Sequence, residues 1–228
     1  MQRQIIVTKD GSHSISIPEM EVTYHSLHGA IQESQHVFIN AGLLGSGLFD
    51  YIGVHSILEI GLGTGLNALL TLMEADKHKN RIYYTSIEPF PLSQSEIAGL
   101  NYCEQLNVPQ YQSRFERIHE CGWEEMYEIS DHFRLTKYKT SLQDFTSNDL
   151  FDVIYFDAFA PRAQPELWTQ EIFGKLSPLL KDDGVLVTYC SKSVVRRAME
   201  AGGFKIEKIQ GPWGKREMVR ARRARNGE

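Results

Sequence analysis

Residues 58–67, LEIGLGTGLN, place glycines at 61, 63 and 65 directly after an apolar run. Glycines at a strand-to-helix turn let the backbone approach a bound molecule closely. The spacing is G-x-G-x-G. It departs from the G-x-G-x-x-G of dinucleotide-binding turns, whose third glycine serves helix packing beneath a pyrophosphate, and no Lys-Ser/Thr follows to make a P-loop. Alone, such a turn reads equally as a cofactor loop or as a tight turn with nothing bound. Three acids change that balance. Glu88 ends RIYYTSIE, 27 positions after Gly61, where a carboxylate can accept two hydrogen bonds from ribose hydroxyls. Asp144, in SLQDF, can face an adenine amino group, and Asp157, in YFDAFAP, ends a further strand. Singly, each acid reads as a helix cap or a solvated loop residue. Together with the turn they put four strand ends on the carboxyl edge of an open α/β sheet, where such folds bind ligands. That constellation describes a pocket for S-adenosyl-L-methionine. Glu59, Gly61, Gly63 and Thr64 are its expected cofactor-binding residues, joined by Gly65, Asn67, Glu88 and Asp144.

The elements that must position these residues follow from periodicity. HSILEI (55–60), RIYYTSIE (81–88), HFRLTKY (132–138), FDVIYFD (151–157) and GVLVTYC (184–190) read as strands, rich in β-branched and aromatic residues. Helical patterns lie between them at 65–76, at 93–106 with Ser93 and Glu96 in capping-box spacing, at 165–176 and at 193–202. CGWEEMYEI reads as irregular. FKIEKIQ and REMVRA form a final pair, and the connection GPWGK is too short for a parallel crossover. The expectation is an α/β, Rossmann-like domain over residues 51–228, with a mostly parallel seven-stranded sheet and an antiparallel C-terminal hairpin. Residues 1–50 precede it as a small extension: a hairpin turning at Asp10-Gly11, then a partly helical stretch.

Bulk properties set the class. The 228 residues are 42% hydrophobic and 23% charged, as in globular proteins, with no apolar run of membrane-span length and no signal-peptide core at the N-terminus. The expected location is the cytoplasm. Cys103, Cys121 and Cys190 are widely spaced and odd in number, which points to reduced thiols. His25 and His28 have ligand-like spacing, but no Cys or carboxylate pair nearby completes a metal site, and none is expected. The net charge of −5 conceals an asymmetry. Residues 191–228 hold eleven Lys or Arg against four Glu, so the preceding 190 residues carry −12. A basic C-terminal face can hold a polyanion locally; it can equally be a solvated tail.

FDAFAPRAQPELWTQEIF (156–173) and VVRRAMEAGGFKIEKIQGPWGKREM (194–218) resemble the methyltransferase part of the MnmC family, bacterial tRNA 5-methylaminomethyl-2-thiouridine biosynthesis proteins. YHSLHGAIQESQHVFINAGL (24–43), LEIGLGTGLN and SIEPFPL (86–92) are similar to its other blocks, so the resemblance spans nearly the whole chain. D-A-F-A-P and K-R-E-M are the most specific of them. Gln143, where relatives commonly have glycine, and Trp213, where phenylalanine is usual, depart from the pattern. The resemblance implies a class I S-adenosylmethionine-dependent methyltransferase acting at the wobble position of the tRNA anticodon loop. It would convert 5-aminomethyl-2-thiouridine to its methylaminomethyl form. Family members commonly carry a fused flavin-dependent oxidase. Because this chain stops just after Arg225, the expectation is a stand-alone methyltransferase without FAD, served by a separate oxidase.

Methyl transfer to an amine needs an unprotonated nitrogen aimed at the methyl group, so positioning and proton removal are the protein's tasks. Asp157 is the candidate catalytic residue, binding the amine and helping its proton leave, with a purely cofactor-positioning acid as the other reading. Phe159 and Pro161, in the stiff segment after it, are candidates to wall the site and stack on a flipped base, although Phe159 reads equally as a core aromatic. Trp168 reads as packing. The resemblance places Arg196, Arg197, Lys215 and Arg216 near the catalytic edge, where they can bind phosphates; Arg220 to Arg225 can simply be solvated. A small-molecule amine methyltransferase or an aminopropyltransferase on the same fold is the alternative. It would call for a further acidic polyamine site and no basic terminal face.

Overall fold

The structure, a computed structural model, describes residues 2–224; Arg225 lies outside the described residues. The chain opens with a three-stranded antiparallel meander, β1 (Gln4–Val7), β2 (His13–Ile17) and β3 (Val22–Thr23). The Asp10 carboxylate fixes its first turn by accepting from the Ser12 N–H (3.0 Å) and the Thr8 hydroxyl (2.7 Å). α1 (Ala30–Ser34) continues directly into a wide-turn helix, Gln35–Leu43.

The body follows as β4 (Val54–Ile60), α2 (Leu66–His78), β5 (Arg81–Ile87), α3 (Gln94–Ala98), α4 (Tyr102–Gln105), α5 (Gln112–Glu120), β6 (Met126–Ser130) and β7 (Phe133–Tyr138). Then come β8 (Phe151–Phe156), α6 (Gln170–Leu176), β9 (Leu180–Thr188), α7 (Ser193–Ala201), β10 (Phe204–Gln210) and β11 (Glu217–Arg223). Their sheet runs β10-β11-β9-β8-β4-β5-β7-β6. β9, β8, β4, β5 and β7 are parallel neighbours, while β11, β10 and β6 pair antiparallel.

Eight strands form the sheet, not seven. The extra one is β6, in the stretch that read as irregular. It is a short edge strand on which only Ile129 is buried, and its sequence MYEIS carries the charged Glu128, as exposed edges commonly do. The capping box at Ser93 is present, with the Ser93 N–H donating to the Glu96 carboxylate at 2.6 Å. The helix it starts ends after Ala98 and resumes as α4, so the single helix expected over 93–106 is two.

Helices cover both faces, which explains why the central strands are apolar on both sides. On one face, α2, α5 and the wide-turn helix bury Leu69, Phe115 and Phe38 against Tyr84, Phe133 and Tyr155. On the other, α6 and α7 bury Phe173, Val195 and Met199 against Ile154, Phe156 and Leu186. Val195 and Met199 stand one helical turn apart while Arg197 and Glu200 are exposed. The N-terminal segment is therefore part of the main core: Phe38 packs on Tyr155 of β8 with ring centroids 5.3 Å apart.

Candidate active site

A cavity of about 620 Å³ opens over the carboxyl ends of β4, β5, β7 and β8, within the size range of small-molecule sites. Backbone hydrogen bonds lock those strand ends together. The Gly61 N–H donates to Ile87 (2.9 Å), Asp157 N–H to Ile60 (3.2 Å) and Glu88 N–H to Tyr138 (2.9 Å). Both Gly61 and Gly63 line the cavity with positive φ, +89° and +50°. A Cβ at either would come to 3.0 Å from the Asp157 carbonyl oxygen or the Tyr24 ring. Only glycine leaves this surface free of side chains.

Glu88 anchors the loop. Its carboxylate accepts from the Gly63 N–H (2.9 Å) and the Phe90 N–H (2.8 Å). Burial raises its pKa, opposed by those two amides and by Arg3. Each carboxylate oxygen keeps lone-pair capacity for a diol. Thr64 is held from two sides: its hydroxyl lies 2.7 Å from His25 Nε2, and its carbonyl accepts from His119 Nε2 at 3.1 Å. Burial depresses both imidazoles to a pKa of about 4, so both are neutral near pH 7.

Asp157 sits where β8 ends. Burial pushes its carboxyl up to about 7; the Glu33 carboxylate adds to the rise, while a 2.9 Å hydrogen bond from Asn67 Nδ2 and the Lys215 ammonium oppose it. Phe159 lines the cavity with its ring edge-on to Tyr24, centroids 5.1 Å apart.

Several expected site residues stand elsewhere. Glu59 is fully buried on β4 beneath the loop, accepts from the Ser86 hydroxyl at 3.0 Å, and is driven well above the ordinary carboxylate range by burial. It supports the floor and does not line the cavity. Gly65 starts α2 with its Cβ position facing His119, behind the loop. Asp144 is exposed and accepts from the Ser141 hydroxyl at 2.6 Å; Ser141, Leu142 and Gln143 line that wall instead. Pro161 is half-buried outside the cavity lining. Trp168 is packed, its Nε1 donating to the Phe159 carbonyl at 2.8 Å.

The basic set divides. Arg197 and Arg216 are exposed, and half-buried Arg196 donates through Nε to the Ser191 carbonyl at 3.2 Å. Lys215 turns inward: its ammonium pairs with Glu33 at 2.6 Å and lies 3.9 Å over the Tyr189 ring. Arg3, Tyr24 and His25 line the cavity, and Glu33 adjoins it electrostatically, yet none was singled out as a site residue from the sequence. No local spacing marks them. For Tyr24, His25 and Glu33 the available signal was their presence in the YHSLHGAIQESQHVF block.

The bare glycine loop, the Glu88 carboxylate, the polar Thr64 and Asn67 and the apolar Ile60, Leu66 and Leu142 fit S-adenosyl-L-methionine, a molecule with a diol, a flat base and a charged tail. No helix among the described residues is long and apolar enough to cross a membrane, and no cluster of three or more His, Cys, Asp or Glu among them is placed to hold a metal. Fold and site define an S-adenosyl-L-methionine-dependent methyltransferase. The family model so described matches residues 107–224, and the chain belongs to that family. It is 29% identical over 209 residues to the tRNA 5-methylaminomethyl-2-thiouridine biosynthesis bifunctional protein MnmC of Leptospira interrogans, covering 86% of this chain and 32% of that protein. The namesake from Pseudoalteromonas atlantica is 28% identical over 220 residues, 87% of this chain and 30% of its own length. The chain thus spans about a third of the length of these relatives. The crystal structure of MNMC2 from Aquifex aeolicus superposes with a TM-score of 0.81 at 25% identity, covering 98% of this chain and 71% of that one.

Proposed function

We propose that the chain methylates the aminomethyl nitrogen of 5-aminomethyl-2-thiouridine at the wobble position of tRNA, giving 5-methylaminomethyl-2-thiouridine. The observation that carries the chemistry is Asp157, a carboxyl poised at about 7 at the mouth of the cofactor cavity. The substrate class is supported by the relatives' names, by the basic residues after 190, and by Trp213. That indole is 71% exposed, three positions before Arg216 in the chain, with its plane within 11° of the His28 ring. An exposed aromatic beside cations is a stacking surface for unpaired bases. Such a substrate implies a cytoplasmic protein, and a flavin-dependent oxidase activity as the source of the free amine.

When bound, S-adenosyl-L-methionine supplies a methyl group on a positively charged sulfur. Gly61, Gly63, Thr64, Asn67 and Glu88 would hold it. An aminomethyl group enters largely as an ammonium, which cannot attack. Asp157 accepts one of its protons, leaving the nitrogen lone pair free to form the new N–C bond as the methyl–sulfur bond would break, its electron pair staying on a neutral sulfur; the product is a protonated secondary amine, and the Asp157 proton returns to solvent. Tyr24 and Phe159 form an aromatic wall that keeps water from the nitrogen and orients the base.

The test is to incubate the protein and labelled S-adenosyl-L-methionine with tRNA from cells lacking this modification and to analyse the nucleosides. Labelled methylaminomethyl nucleoside is expected, with binding that weakens as salt rises. Label in a small amine, with none in tRNA, would overturn the substrate assignment.

A further inference from the structure

Lys215 stands apart from the other basic residues of the C-terminal hairpin. Its ammonium lies 2.6 Å from the Glu33 carboxylate, joining positions 182 residues apart. Glu33 is only 8% exposed at its side chain, and its other oxygen accepts from the Ser26 N–H at 2.8 Å. The same ammonium lies over the face of Tyr189, whose hydroxyl donates to the carbonyl of Ala158 at 2.8 Å. Ala158 is the residue after Asp157. A continuous chain of contacts therefore runs from the first helix through the C-terminal turn to the backbone beside the reacting carboxyl.

We infer that Lys215 and Glu33 are positioning residues for methyl transfer, a balanced ion pair that holds the acceptor wall in place and sets the local charge in which Asp157 works. The inference rests on the proton-accepting role given to Asp157 above. Two carboxylates near one another in a partly dry site repel strongly unless a cation lies with them. Lys215 is that cation. Only the Glu33 side of the pair is buried, while the Lys215 side chain is 34% exposed; a partly exposed pair contributes modest net stability, so its charge beside Asp157 is the property that matters.

The groups facing Asp157 are Asn67 on α2, Glu33 on α1, Glu59 on β4, Tyr84 on β5, Tyr189 after β9 and Lys215 in the β10–β11 turn. His25 also feels Glu33 and Lys215. Only Glu33 and Lys215 are opposite charges of this set, so removing either has a predictable sign. With Lys215→Met, Glu33 is left uncompensated, Asp157 is harder to ionise, and the acidic limb of kcat/KM for aminomethyl tRNA moves to higher pH. With Glu33→Gln, the uncompensated ammonium moves the same limb to lower pH. The double variant Glu33→Gln/Lys215→Met returns it close to the wild-type position, and Lys215→Arg, which keeps the charge, shifts it least.

The measurement is the pH profile of kcat/KM for all four variants at saturating cofactor. Calorimetric S-adenosyl-L-methionine titrations show that each still folds and binds. Shifts of about half a pH unit or more, roughly a threefold change in ionisation constant, are expected in opposite directions. Equal losses of rate with an unmoved limb, or shifts of the same sign, would overturn the inference. Asp157→Asn separates the two levels. If it keeps wild-type turnover and the limb, the role of Asp157 is wrong; if it abolishes turnover while the charge variants leave the limb in place, only the role of Lys215 and Glu33 is wrong.

Discussion

The two sides of the cavity are built by different means. On the cofactor side, the backbone does most of the holding: amides of Gly61, Gly63 and Phe90 reach Ile87 and Glu88, and the side chains of Glu88, His25 and His119 pin the loop from behind. On the acceptor side, side chains hold side chains, as in the Asn67–Asp157 hydrogen bond, the Glu33–Lys215 pair and the Tyr24–Phe159 contact. A backbone-built surface has few adjustable parts. It suits a ligand that is the same in every member of a fold class, whereas a side-chain network can be retuned in charge and shape for one acceptor.

If that division holds, substitutions on the acceptor side should alter turnover and leave cofactor binding nearly intact. Asp157→Asn gives the largest effect, a loss of about 10²–10⁴ in kcat, the usual worth of a positioned proton acceptor. Its dissociation constant for S-adenosyl-L-methionine, measured by calorimetry, should change by less than about threefold. The same variant should melt higher at pH 8, because it no longer ionises a half-buried, poorly solvated carboxyl. A raised pKa is a stability cost of about 1.4 kcal/mol per unit once the group is charged, and with its pKa at about 7 Asp157 is mostly charged at pH 8. A cofactor affinity that fell in parallel with kcat would erase the distinction between the two sides.

Gly61 is where the sides meet, so Gly61→Ala should damage both. The residue holds φ +89°, and the new methyl would come to 3.0 Å from the Asp157 carbonyl oxygen. A strained backbone of this kind costs about 1–3 kcal/mol, which should appear as a lower melting temperature together with weaker cofactor binding and slower turnover. Glu88→Gln is milder and one-sided. It keeps an acceptor for the Gly63 amide but loses a charge-assisted bond, so the cofactor dissociation constant should rise about tenfold, with kcat recovered at saturating cofactor. A lower kcat at saturation would place Glu88 on the acceptor side after all.

The same division explains what could be read in advance. The cofactor side is local in sequence: a glycine turn and an acid at the end of the next strand are both legible as spacing, and the turn's geometry follows from residue type alone. Asp157 was legible for the same reason, as the acid ending β8. Arg3, Tyr24, His25 and Glu33 were not, because they become site residues only when the N-terminal meander and α1 pack on a sheet whose strands come later in the chain. Lys215 was legible as a cation but not as an inward one, since its partner is 182 residues away. Asp144 and Glu59 show the converse: an acid near a strand end was read as a ligand, whereas one caps a turn and the other lies one layer below the surface. β6 escaped because an edge strand need not alternate.

The smallest expected effect joins the two sides through Thr64, held by His25 from the N-terminal segment and by His119 from α5. Both imidazoles have folded pKa values of about 4 against an ordinary 6.5. Below pH 6.5 the unfolded chain therefore binds more protons at these positions than the native one. Their contribution to stability is complete above about 6.5 and is lost as pH falls toward 4, at up to about 1.4 kcal/mol per pH unit for each. Asp157 acts with the opposite sign. Its folded pKa of about 7 lies above the ordinary 3.8, so the native state holds an extra proton between those values and gains stability as pH falls. In the wild-type protein the two trends partly cancel. In Asp157→Asn the cancelling term is gone, so denaturant-derived stability should fall more steeply from pH 6.5 to 4 than in the wild type. Removing one of the two imidazoles as well, with His25→Gln, should make the decline shallower again. Equal slopes in the wild type and Asp157→Asn would mean that Asp157 is not held protonated through that range, and the acceptor side would lose the feature that sets it apart.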